Sequence, residues 1–120
     1  MANLRSVGDI HEEQVCKCLV QNGYHIVERN YRVRQGEIDI IANDNEYLVF
    51  VEVKYRKGKM SGDGFDAVDY KKQRQISKVA LYYMSSHKIS DSQAIRFDVA
   101  SVSDKGINII KNAFDFQYMT

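Results

Sequence analysis

Glu37, Asp39, Glu52 and Lys54 are the residues whose types and spacing point to chemistry. They lie in two segments, GEIDIIA at 36–42 and YLVFVEVKY at 47–55, both rich in strand-forming residues. Side chains alternate faces along a strand. Glu37, Asp39 and Ile41 should therefore share one face, as should Leu48, Phe50, Glu52, Lys54 and Arg56. A hairpin turning at Asp44-Asn45 would set Ile41 opposite Leu48, Asp39 opposite Phe50 and Glu37 opposite Glu52. Asp39 and Glu52 would then be diagonal neighbours, ~7–8 Å apart at Cα. Carboxylates crowded on one patch of sheet repel each other. A divalent cation relieves that repulsion, and Mg²⁺ characteristically uses one or two carboxylates plus water and phosphate oxygens. Lys54, at the edge of the patch, is suited to orienting a water or stabilising charge that builds on a phosphate.

Two helices are expected to position this cluster. Val7 to Gln21 reads as the first, ended by Asn22-Gly23. Glu12 shares a stripe with Val15, Cys16 and Leu19, so its carboxylate is directed inward, where an unpaired charge is costly. The second helix reads from about Asp66 to about Ser86, with Asp66 as its cap and Asp69 in its first turn. Lys72 stands one turn before Ile76, on the stripe Ile76, Val79, Ala80 and Tyr83. Glu12 and Lys72 are thus expected to converge on the strand cluster. Further strands read at Tyr24 to Tyr31, Ile95 to Val102 and Ile107 to Lys111, while Asn112 to Thr120 carries no clear pattern. The order helix, three strands, helix, two strands fits an α/β fold, a mixed β-sheet flanked by helices. Alternating charges also occur on ordinary solvated strand faces, so the cluster acquires meaning from its members together.

At 120 residues with 44% hydrophobic content, the chain is expected to form a single domain over 1–120. No apolar run reaches the ~18–20 residues of a membrane helix. The first residues carry no signal-like apolar stretch, and two cysteines do not suggest a disulfide scaffold, so a cytoplasmic protein is expected. A net charge of +1 excludes a protein coated in basic surface. Locally the balance differs: residues 52–78 hold eight basic and four acidic side chains. Lys54, Arg56, Lys57 and Lys59 fall within that stretch, as the contacts of a phosphate backbone require. Arg29, Arg32 and Arg34 are candidates to extend the patch. Cys16 and Cys18 lie ~200° apart around a helix and are not placed to share a metal or a disulfide. His11, His25 and His87 are scattered in sequence.

The Asp39…Glu52-Val53-Lys54 pattern resembles the PD-(D/E)XK signature of restriction-endonuclease-like proteins. More widely, GEIDIIA at 36–42, LVFVEVKYR at 48–56, KKQRQISKVALYY at 71–83 and RFDVASV at 96–102 resemble the small bacterial YraN-like family, over about residues 8–102. That family is placed with Holliday-junction-resolvase-like and other endonuclease-like folds. The resemblance implies a restriction-endonuclease-like, three-layer α/β/α core. It implies Asp39 and Glu52 as metal-binding acids, with Glu12 and the Val53 carbonyl completing a site for Mg²⁺ or Mn²⁺. Lys54 would be the catalytic lysine and Lys72 a phosphate contact, beside Arg56, Lys57 and Lys59. His11 stands where family members usually have glycine. The function expected is metal-dependent hydrolysis of a nucleic-acid phosphodiester, on DNA and on branched DNA in particular. The alternatives are a nucleic-acid-binding module without catalysis and an interaction subunit of a DNA-processing complex. A homodimer would suit action on two strands.

Overall fold

The structure, a computed structural model, describes residues 7–56 and 68–118. Two helices and five strands follow in the order α1 (Val7–Gln21), β1 (His25–Val33), β2 (Gly36–Asp44), β3 (Tyr47–Tyr55), α2 (Tyr70–Ser86), β4 (Ile95–Ser103) and β5 (Gly106–Phe114). The strands form one sheet in the order β1-β2-β3-β4-β5. Neighbours are antiparallel except β3 and β4, which run parallel with α2 in the connection between them. β3 and β4 are central and buried through most of their length, which explains their near-continuous runs of Val, Phe and Ala.

Among the described residues, each face of the sheet carries one helix. On one face, Val15 and Leu19 of α1 pack with Tyr24, Ile40, Val49, Val51 and Ala100. On the other, Ile76, Val79, Ala80 and Tyr83 of α2 pack with Ile41, Phe50, Phe97 and Val99. The result is the expected α/β/α layering of a mixed sheet between helices. α1 stops where Gly23 takes a φ of 91°, and the Tyr24 N–H turns back to the Leu19 carbonyl at 3.0 Å.

Several boundaries differ from the sequence reading. α2 starts at Tyr70, not near Asp66, and its cap is Asp69, whose side chain accepts from the Lys72 N–H at 2.8 Å. Asp66 lies outside the described residues. The β2–β3 hairpin turns at Asn45-Glu46, where Asn45 adopts a φ of 54°, so Asp44 pairs with Tyr47 and Ile41 with Phe50. The expected register is therefore displaced by two residues. An even displacement keeps every side chain on its face, so Ile41 and Phe50 still point toward α2. β5 extends through Phe114 across a shift in register opposite Phe97 and Val99.

Candidate active site

The observed register ends beside the two acids. The pairing of β2 with β3 runs from Asp44–Tyr47 to Ile40–Val51, and Asp39 and Glu52 are the next residues along the two strands. The strict alternation expected of β2 breaks at this point. Ile38 packs with the α2-side core, whereas Ile40, two residues on, packs with the α1-side core. On the adjacent strand Asn30 takes a left-handed φ of 54°. At this break the Asp39 side chain takes over part of the ladder: its Oδ2 accepts the Val53 N–H at 2.8 Å. The carboxylate is thereby fixed against the backbone of the Glu52-Val53-Lys54 segment.

The Asp39 and Glu52 carboxyls are close enough to share a hydrogen bond. Burial raises the pKa of Asp39, against the lowering effect of the Val53 N–H and of Glu52, while Glu37 and Glu12 push it further up. Glu52 is pushed up to about 7, first by burial and then by the Asp39 charge. Lys72 and Lys54 pull in the opposite direction. The Lys72 Nζ lies 3.7 Å from Glu52 Oε2. α2 thus delivers a cation onto the acid pair, and Lys54 adds a second positive charge from the same strand as Glu52.

Not every expected member joins the cluster. Glu12 is buried, at 8% exposure, but its Oε1 accepts from Asn30 Nδ2 at 2.8 Å and from Arg29 at 3.1 and 3.3 Å. It influences Asp39 only through its charge. Glu37 pairs with Arg32 at 3.3 Å. Arg29 and Arg32 are therefore engaged with acids and do not extend a basic patch. Among the described residues, no three His, Cys, Asp or Glu side chains stand together as a metal cage. The oxygen donors that do converge are the two carboxylates of Asp39 and Glu52, a set that fits a hard cation otherwise ligated by water. Arg56 donates from Nε to Ser101 Oγ at 2.8 Å. Lys57 and Lys59 lie outside the described residues. His11 stacks on Tyr55 with ring centroids 5.4 Å apart. Cys16 and Cys18 are free thiols.

The sequence reading missed a second polar cluster, built on Tyr24, Asp44, Arg96, Asp98 and Lys111. Asp98 is fully buried and accepts from Tyr24 Oη at 2.6 Å, from Arg96 at 2.8 Å and from the Asn112 N–H at 2.9 Å. Arg96 also donates to Asp44 at 2.8 Å, and Lys111 reaches Asp44 at 3.1 Å. Each acid here pairs with a cation, in contrast to the crowded Asp39 and Glu52. This cluster ties β2, β4 and β5 together and is structural in character. The one signal available in sequence was an aspartate inside the apolar run FDVASV.

Among solved structures, the chain is similar to a repair endonuclease from Pyrococcus abyssi (17% identity, TM-score 0.43). It is also similar to SfsA of Pyrococcus furiosus in complex with Ca²⁺ (14% identity, TM-score 0.34). These matches cover 86% and 87% of this chain but only 41% and 60% of those chains. Sequence relatives align almost end to end. A UPF0102 protein of Lachnoclostridium phytofermentans is 44% identical over 94% of this chain and 96% of its own length. One of Syntrophus aciditrophicus is 45% identical over 97% and 93%, and one of Fusobacterium nucleatum 44% identical over 92% of each. The family model for these proteins matches residues 11–102, a stretch that holds Glu12, Asp39, Glu52, Lys54 and Lys72. The chain belongs to the uncharacterised protein family UPF0102.

Proposed function

We propose that the protein is a metal-dependent endonuclease acting on nucleic-acid phosphodiesters, DNA in the first place. The observation that carries this reading is the Asp39–Glu52 pair. Two carboxyls are pressed together in a partly buried position, and both pKa values are raised. Crowding and burial of these acids cost the metal-free fold stability, and a bound divalent cation would relieve their repulsion. The Asp39…Glu52-Val53-Lys54 pattern, read in sequence as PD-(D/E)XK-like, falls on this pair.

Asp39 and Glu52 would hold Mg²⁺ or Mn²⁺, with the Val53 carbonyl as a further oxygen donor. A bound divalent cation would supply Lewis acidity and a more acidic water. Glu52 must lose its proton to act as a ligand, and a pKa of about 7 makes that inexpensive near neutrality. Lys54 would orient the attacking water and stabilise charge on the phosphoryl oxygens. Lys72, released from Glu52 by the cation, would contact the adjacent phosphate. Arg56 would contribute to backbone binding.

Labelled single-stranded, duplex, flap and four-way-junction DNA incubated with Mg²⁺ or Mn²⁺ tests the proposal. Cutting that requires the metal and disappears in Asp39→Ala and Glu52→Ala supports it. Absence of cutting on every substrate, with the fold intact, removes the catalytic reading. A nucleic-acid-binding module without cleavage would then stand, favoured by one observation: Glu12 is tied to Arg29 and Asn30, which leaves two converging carboxylates among the described residues.

A further inference from the structure

α2 carries four basic residues and no acid over its 17 residues, in a chain whose net charge is +1. Lys72 alone among the four faces the acid pair. Lys71, Arg74 and Lys78 are exposed and follow one another at spacings of three and four, on one flank of the helix. No described acid pairs with them. Lys71 lies in the first turn, where the helix dipole is already positive, so its charge there opposes helix stability. A solvated face needs no such concentration of like charge.

Aromatic rings accompany the cations. Tyr70 is 60% exposed, with the Arg74 guanidinium 5.1 Å from its ring centroid. Tyr118 is 82% exposed. Together with Gln35 of the β1–β2 turn, Tyr70, Lys71, Arg74, Lys78 and Tyr118 line a cleft of about 530 Å³ with no carboxylate among the described residues that line it. Lys71 to Lys78 spans ~10 Å along the helix axis, the rise of about three nucleotides of one strand. Basic side chains that track a backbone, interleaved with exposed rings, suit unpaired bases rather than a closed duplex.

We infer that this flank of α2 is a single-strand binding track, which takes phosphates on Lys71, Arg74 and Lys78 and stacks bases on Tyr70 and Tyr118. The inference rests on the nucleic-acid reading above but not on cleavage. Lys71 and Lys72 share the first turn, so an unpaired strand held on the track enters the acid pair from the α2 side. The substrate class is then DNA with a single-stranded segment beside the scissile bond.

Fluorescence anisotropy with a labelled 20-nucleotide single strand, its duplex and the RNA of the same sequence tests this in EDTA, where no cutting occurs. The salt dependence is recorded from about 50 to 300 mM NaCl. The single strand should bind at least about tenfold tighter than the duplex. The variant K71A/R74A/K78A should lose about two units of slope in log K against log salt, as three lost phosphate contacts on a single strand require. Tyr118→Ala should weaken binding about fivefold or more with the slope unchanged, since stacking releases no counterions. The variant K17A/K88A/K105A removes the same charge from exposed positions elsewhere and should keep the wild-type slope. Equal losses in both triple variants, or tighter binding of the duplex, would overturn the track while leaving nucleic-acid binding in place. Tighter binding of the RNA would assign the track to RNA instead. No binding of any strand by the wild type would remove the nucleic-acid reading together with the track.

Discussion

Replacing Glu52 by Gln should stabilise the metal-free protein, and the gain should depend on pH. The folded-state pKa of Glu52 rises from 4.5 to about 7. A carboxyl raised on folding contributes its full share of stability below about pH 4.5, where both states hold the proton. As pH rises, the unfolded chain ionises first, and stability drains away until the folded group ionises near pH 7. At ~1.4 kcal/mol per unit, the loss at alkaline pH is about 3 kcal/mol. Glutamine keeps the shape and carries no charge. Asp39, also raised, acts in the same sense and is present in both proteins. Urea denaturation in EDTA at pH 4, 6 and 8 reads the effect directly. Glu52→Gln should match the wild type at pH 4 and exceed it by about 2–3 kcal/mol at pH 8. A variant no more stable than the wild type at pH 8, or a gap of the same size at pH 4, would refute the idea that crowded, desolvated acids are held here at a cost.

Other predictions concern the scaffold. Asp98→Ala should lower stability by about 3–5 kcal/mol in the same denaturation assay, because it removes the buried acceptor shared by Tyr24, Arg96 and the Asn112 N–H and leaves Arg96 with Asp44 alone. Asp69→Ala removes the cap of α2 and should cost ~1 kcal/mol, with loss of helicity confined to the first turn by hydrogen exchange. Gly36→Ala should destabilise by about 1–3 kcal/mol. Gly36 has a φ of 151°, and an added Cβ would meet Gln75 Nε2 at 2.9 Å, so thermal unfolding should drop by several degrees.

The sequence made local elements legible and long-range ones opaque. Val7–Gln21 and Tyr47–Tyr55 are read from periodicity and β-propensity at their observed limits. Strand alternation groups Asp39, Glu52 and Lys54, but it breaks between Ile38 and Ile40. Asp39 is therefore fixed by its bond to the Val53 N–H rather than by the expected register, which is displaced by two residues. The displacement itself depends on Asn45, whose side chain tolerates a positive φ as readily as the neighbouring Asp44-Asn45 pair suggested a turn. Lys72 was placed by its helical stripe, and the structure puts it on Glu52. Glu12 was expected at the cluster from the same kind of stripe. Its actual partners are Arg29 and Asn30, and Asn30 takes a left-handed φ that no periodic pattern encodes. Tyr24, Asp44, Arg96 and Asp98 escaped notice for a related reason: their contacts join four separate segments, and each residue alone looks unremarkable in its strand.

The topology also sets an order of assembly. β2 and β3 close over a tight turn, so the contacts that bring Asp39 to Glu52 are among the most local in the sheet. Lys72 arrives only with the long β3–α2–β4 connection, when Leu48 finds Ile95. Non-local pairing of this kind is slow, because the chain loses loop entropy before contacts repay it. The folding hypothesis that follows is that the acid pair forms before its countercharge, as a kinetic obstacle at neutral and alkaline pH. Glu52→Gln should then refold faster than the wild type at pH 8 and at the same rate at pH 4. A refolding rate unchanged at pH 8, with only unfolding slowed, would place the meeting of the two acids after the rate-limiting barrier.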